Sequence, residues 1–207
     1  MKKNRNKIAN VCIAAGVSCI VAALALAILN EYESREAFNS SQRVLEAMTD
    51  EIFQQEADVD EADTMEGKAD VSKYYELPVR VIEGNEYIGY LSFEDMHFPI
   101  MSSWDYDKLK KSACRYSGNL EEHNLVIAGH NYRSGFGKLK KLKKGDVVLF
   151  NAFNGLVYQY EVDEVEILNP TDIEDMTESQ WDLSLYTCTY EGKARLTVRC
   201  RETGVFD

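Results

Sequence analysis

The sequence is short of the residues that metal frameworks and disulfide scaffolds need. It has three histidines, His97, His123 and His130, and five cysteines with no Cys-x-x-Cys pair among them. Structural zinc takes four closely grouped sulfur or nitrogen ligands, so this composition argues against it. Cys12 and Cys19 fall in an apolar run, while Cys114, Cys188 and Cys200 are widely spaced. A Cys114–Cys200 disulfide is left open, and an odd cysteine outside the apolar run raises the question of a reactive thiol. An excess of positive charge is also lacking, the net charge being −12. Phosphate binding needs a basic footprint, which argues against nucleic acid as a partner. No internal repeat stands out.

What is present is unevenly distributed. Residues 1–29 carry Lys2, Lys3, Arg5 and Lys7 and no acid, whereas residues 31–70 carry 13 acids against Arg35, Arg43 and Lys68. Ile8 to Leu29 contains no charge. About 22 helical residues span roughly 33 Å, enough for a hydrocarbon core of about 30 Å. A cleaved signal peptide is the competing reading, but its apolar region is shorter. The expected organisation is a cytoplasmic tail over 1–7, a transmembrane signal anchor over 8–29, an extracellular helix and linker over 30–73, and a folded domain over 74–207. Basic residues before the span and acids after it predict a single-pass protein with its N-terminus inside and its folded domain outside.

Between Ser40 and Glu56, Val44, Leu45, Met48, Ile52 and Phe53 recur at helical spacing, predicting an amphipathic helix near the membrane or packed on the domain. Ala57 to Asp70 is acidic and poor in apolar residues, the composition of a solvated linker. From about Tyr74 the pattern changes to short β-branched and aromatic runs separated by turn signals such as Asn154-Gly155. Short helical pieces interrupt near Asp105–Lys111 and Phe136–Leu142. About eight strands at this spacing predict a mainly β domain, a closed barrel or sandwich.

The chemistry is expected at Leu183–Glu202, which alternates, turns at Glu191-Gly192 and alternates again. In the second arm Leu196, Val198 and Cys200 form the core face and Arg195, Thr197, Arg199 and Arg201 the other. In the first arm Ser184, Tyr186 and Cys188 lie opposite Leu183, Leu185 and Thr187, so Cys188 faces away from the core. A two-residue turn sets Cys188 directly across from Arg195, and a three-residue loop shifts that register by one. The thiolate is the nucleophilic form of cysteine and a nearby cation favours it; a structural cysteine is the alternative, and it suits Cys200 better. A cysteine nucleophile needs an acid/base partner. His130 follows an apolar run and Gly129, at a strand end where sites are built. His123, in a Glu-Glu-His-Asn turn, reads as surface, and His97 as a half-buried packing residue.

Ala128-Gly129-His130-Asn131, then Ser184-Leu185-Tyr186-Thr187-Cys188, then Arg195 in the next strand, resemble the sortases, membrane-anchored cysteine transpeptidases of Gram-positive cell surfaces. The family pattern is Thr-Leu-x-Thr-Cys, with Ser184 here in place of the first threonine. The resemblance covers about residues 74–204. It implies an eight-stranded sortase-type β-barrel with short helices behind a transmembrane helix. It further implies that Cys188 forms a thioester with a Leu-Pro-x-Thr-Gly-type sorting signal, that His130 serves as acid and base, and that Arg195 steadies the oxyanion. Asn131, Tyr186 and Thr187 are then expected to line the substrate. The implied partners are surface proteins bearing a sorting signal and an amine of a peptidoglycan precursor or pilin. No metal is needed, although some relatives bind calcium in loops. Asp172, Glu174 and Asp175 offer oxygen ligands, with a solvated acidic loop as the plainer reading. The short Leu168–Trp181 connection and the lack of an Asp-Pro-aromatic lid or a second span predict a class A- or D-like enzyme. A hydrolysing cell-wall cysteine peptidase and a non-catalytic surface-binding barrel are the competing functions.

Overall fold

Between Gly16 and Gly67 the chain has neither glycine nor proline, the two residues that most often interrupt helices. Helix α1 accordingly runs over Lys2–Val59, joining the expected apolar span and the expected amphipathic segment in one element. The computed structural model describes residues 2–59, 75–178, 180–189 and 192–206, with side chains in α1 described for 10–48. The acidic linker beyond Val59, the side chains of Ile52 and Phe53, and the turn residues Tyr190 and Glu191 lie outside the described residues.

The chain divides into two compact units, Met1–Glu36 and Ala37–Asp207. In the first, Val11, Ile13, Ile20, Leu24 and Ile28 are all more than half exposed. Large apolar side chains without protein cover suit a helix whose solvent is lipid. The helix is long and apolar enough to cross a membrane.

In the second unit the stretch of α1 around Val44–Met48 packs on the folded domain. Val44 and Met48 are buried against Ile82, Tyr87, Met101, Cys114 and Phe153. Each such side chain contributes about 1.5–3 kcal/mol when fully removed from water, which favours packing over a solvated helix.

The domain is a ring of strands: β1 (Arg80–Ile82), β2 (Asn85–Phe93), β3 (Met96–Met101), β4 (Ala113–Ser117), β5 (Leu125–Gly129), β6 (Val147–Ala152), β7 (Val157–Leu168), β8 (Leu183–Cys188) and β9 (Arg195–Phe206). Their order is β1-β2-β3-β4-β5-β8-β9-β7-β6, and β6 pairs back onto β2. The expected eight-stranded barrel is therefore β2–β9, and the three-residue β1 extends one edge of β2. Leu91, Ile127, Phe150, Tyr160, Leu185 and Val198 fill the interior. The helical pieces arise where turn chemistry places them. Helix α2 (Tyr106–Leu109) is capped by Asp105, whose carboxylate accepts from the Lys108 amide at 2.7 Å. A 3₁₀ helix covers Phe136–Lys141, and the β7–β8 connection holds one turn, α3 (Ile173–Thr177). Gly155, at φ +88°, makes the predicted β6–β7 turn.

Cys114 and Cys200 are both free and buried, one in the cluster beneath α1 and the other in the barrel interior, so they form no disulfide.

Candidate active site

Strand β5 is a five-residue apolar run, buried throughout because neighbours cover both faces. Its last residue, Gly129, leaves no room for a side chain: a Cβ there would lie 2.2 Å from the Phe136 ring. Past it the chain folds tightly back, the Tyr132 amide donating to the His130 carbonyl at 2.7 Å. The Tyr132 ring stacks on the imidazole of His130, with centroids 4.7 Å apart and planes at 24°. His130 is thereby held half-buried at the barrel rim. Replacing Gly129 by alanine is expected to lower stability by about 1–3 kcal/mol through overpacking against Phe136, read as a drop in thermal midpoint. An unchanged midpoint would mean that Phe136 is free to move.

Strand β8 runs parallel to β5, with Gly129 level with Thr187. His130 is the residue after Gly129, as Cys188 is the residue after Thr187. Strand β9 runs antiparallel to β8, with Cys188 the partner of Arg195, the register of the two-residue-turn alternative. The Thr189 amide donates to the Ala194 carbonyl at 2.9 Å, so Cys188 and Arg195 are the next, non-hydrogen-bonded pair. In such pairs the Cα atoms approach to about 4.5 Å and the side chains lie closest. Cys188 and Arg195 thus face each other on β8 and β9, His130 is the first residue past the end of β5 on the other side of β8, and all three are half-buried.

The other expected site residues separate. Tyr186 lies on the Cys188 face, where burial, then the neighbouring Tyr116, push its phenol well above the usual range and the charge of Arg195 opposes them. Asn131 is exposed at the rim, and its side chain lies against Gly137 of the 3₁₀ helix. Thr187 is buried on the opposite face, its hydroxyl donating to the Gly129 carbonyl at 2.8 Å. It ties β8 to β5 beneath the site. His97 is exposed, not half-buried, with Nδ1 2.8 Å from the Ser92 hydroxyl. His123 sits at the other end of β5, near Asp182 and Glu202 at 3.9 Å each.

Two features were not anticipated from sequence. Aromatic rings continue outward from Tyr186 through Tyr116 and Trp104 to Tyr106, with successive centroids 5.0–5.5 Å apart. Below the rim, moreover, the polar face of β9 is not solvated, for Thr197 and Arg199 are 0% and 2% exposed. One acid of the β7–β8 connection is engaged locally. Asp172 accepts from the amide and side chain of Asn169 at 2.9 and 2.8 Å, which lowers its pKa. Among the described residues no group of three or more His, Cys, Asp and Glu side chains is set to hold a metal ion.

The thiols differ sharply in setting. Burial, then the Asp105 charge, push the Cys114 thiol up to about 12, and burial raises Cys200 further. At pH 8 iodoacetamide is therefore expected to alkylate Cys188 while leaving Cys114 and Cys200 intact, as peptide mapping by mass spectrometry would read. Modification of Cys114 ahead of Cys188 would overturn that assignment.

A family model described as Sortase domain matches residues 92–203. Among solved structures, the chain is similar to sortase C1 of Streptococcus agalactiae, at 26% identity and a TM-score of 0.51, covering 59% of this chain and 70% of that one. It is similar at 25% identity and TM-score 0.51 to a Clostridium perfringens sortase C solved with the C-terminal cell wall sorting motif, covering 60% and 74%. A sortase from Actinomyces oris, at 21% identity and TM-score 0.52 over 63% and 87%, shares the fold. No curated protein matches significantly.

Proposed function

This chain belongs to the sortase family of cysteine transpeptidases, and from that premise we propose that it cleaves a Leu-Pro-x-Thr-Gly-like sorting signal and transfers the protein to an amine. The Cys188 thiolate attacks the carbonyl carbon of the signal's threonine, and the carbonyl electrons move onto oxygen. Arg195 donates to that oxyanion with a planar fork of N–H groups. As the C–N bond breaks, His130 gives its proton to the departing glycine amine. A thioester remains on Cys188. The incoming amine, of a peptidoglycan precursor or pilin, loses its proton to His130 and displaces the sulfur, which restores the thiolate and the protonated imidazole. No metal ion enters these steps.

The observation that supports this reading is the pairing of Cys188 with Arg195 across β8 and β9, with His130 directly after the end of β5, the other neighbour of β8. In this reading acid, nucleophile and oxyanion donor act around one carbonyl carbon, which lowers the entropic cost of bringing them together. Tyr186 and the rings beyond it offer an apolar surface for the residues before the threonine. The apolar helix anchors the enzyme, and the basic residues before it favour an inside N-terminus. The single turn of α3 in the β7–β8 connection fits a class A- or D-like enzyme.

The test is to incubate the full-length protein with sorting-signal peptides and then resolve the mixture with glycine or diamino-acid amines. The expected result is a mass increment on Cys188 equal to the peptide through its threonine, lost on adding amine as a new adduct forms. Hydrolysis without any amine adduct would favour a peptidase. No covalent species with any peptide would favour a binding barrel.

A further inference from the structure

Arg199 takes no part in the reaction outlined above, yet it is the largest fully buried side chain among the described residues. Burying a guanidinium is costly unless its donors are matched, and here they are matched from three separate elements. Nε donates to the Glu166 carboxylate on β7 at 2.7 Å. Nη1 donates to the Ser184 hydroxyl on β8 at 2.8 Å and lies 3.5 Å from the Met176 carbonyl. Nη2 donates to the Asp175 carbonyl at 2.6 Å. Those carbonyls belong to the C-terminal end of α3, which a short helix leaves unpaired and which a cation complements.

The location gives this cluster its meaning. Strand β9 lies between β7 and β8 and runs antiparallel to both, so β7 and β8 are parallel and their connection must cross β9. It leaves β7 at Leu168, level with Arg195. It is fastened by Arg199 at Asp175 and Met176 before entering β8. The outer-face pairs of β8 and β9 run in sequence from Cys188–Arg195 through Tyr186–Thr197 to Ser184–Arg199. The crossover therefore begins beside the guanidinium of the site and descends along the same face. The serine that departs from the family's threonine is the residue facing Arg199. It supplies an acceptor without a methyl group against the guanidinium.

We propose that Arg199, with Ser184 and Glu166, is a positioning residue that holds the β7–β8 crossover as a fixed wall of the acyl-transfer site and so sets the affinity for the sorting-signal segment. The proposal rests on the function inferred above. Arg199 lies four strand residues, roughly 13 Å, from Arg195, too far to touch the reacting carbonyl, so its loss acts on binding and not on the bond-making steps.

The test uses the full chain in detergent with Arg199→Lys, since an ammonium cannot reproduce the fork that reaches three elements. Amide hydrogen exchange over residues 169–178 is expected to quicken by about 10-fold or more. KM for a Leu-Pro-x-Thr-Gly peptide is expected to rise by about 10-fold, with kcat and the rate of Cys188 alkylation within about 2-fold of the parent. Glu166→Gln, which keeps an acceptor but not the charge, should move both readings the same way by less. It decides the matter if the lysine variant does not fold. Unchanged exchange overturns the clamp. Faster exchange with an unchanged KM, or a fall confined to kcat, overturns the wall. A parent protein that turns over no peptide sinks the acyl-transfer reading and the affinity claim with it, while the exchange measurement still decides the clamp by itself.

Discussion

Changing Cys188 to alanine is expected to remove the thioester entirely and to lower acyl transfer by at least about 10⁴-fold, the scale on which nucleophile deletions act in acyl-transfer enzymes. The fold should survive. Cys188 is half-buried on the outer face of β8, at the last residue of the strand, so truncating it leaves no closed cavity and costs within about 1 kcal/mol. Single-turnover assays with a sorting-signal peptide, run beside a thermal melt, separate the two effects. The other cysteines of the barrel, Cys114 and Cys200, are buried and poorly placed to take over. Transfer at the parental rate in the alanine variant would put the nucleophile elsewhere and end the proposed mechanism.

Arg195→Lys should cost about 10²–10³-fold in kcat/KM, the range for losing one fixed oxyanion donor. The charge is kept in this variant, so the loss measures geometry. The pairing with Cys188 brings the two side chains close, and only a planar fork directs two donors at one oxygen from that distance. Arg195 also lies near enough to Tyr186 for its charge to oppose the rise of that phenol. A lysine variant keeping more than about a third of the parental kcat/KM would reduce Arg195 to a strand-pairing residue.

Much of this arrangement is legible in the alternation of β8 and β9, because the two-residue strand period assigns each side chain to a face. The period put Cys188, Tyr186 and Arg195 outside the core, and the burial pattern agrees. The register between the arms was not legible, since turn length decides it and two lengths fit the same residues. Thr187 shows a different gap: its face was readable as inward, but the resemblance suggested substrate. Its hydroxyl instead finds the Gly129 carbonyl across a parallel pair that no local pattern announces. The aromatic row escaped notice for the same reason, its members coming from α2, β4, β8 and the segment before α2. Arg199 read as one more residue of a polar face. Only the crossover of β9, a property of strand order, turns that face into an interior.

The pairing of β5 with β8 carries a consequence for how the enzyme comes into being. Gly129 and Thr187, joined by a hydrogen bond, stand 58 residues apart in the chain. Parallel pairing over such a separation forms late, because long loops must close before it stabilises anything. The segment that separates the two residues contains β6, β7 and the crossover. On the proposed mechanism, therefore, acylating power depends on a contact between chain segments that only the assembled sheet provides.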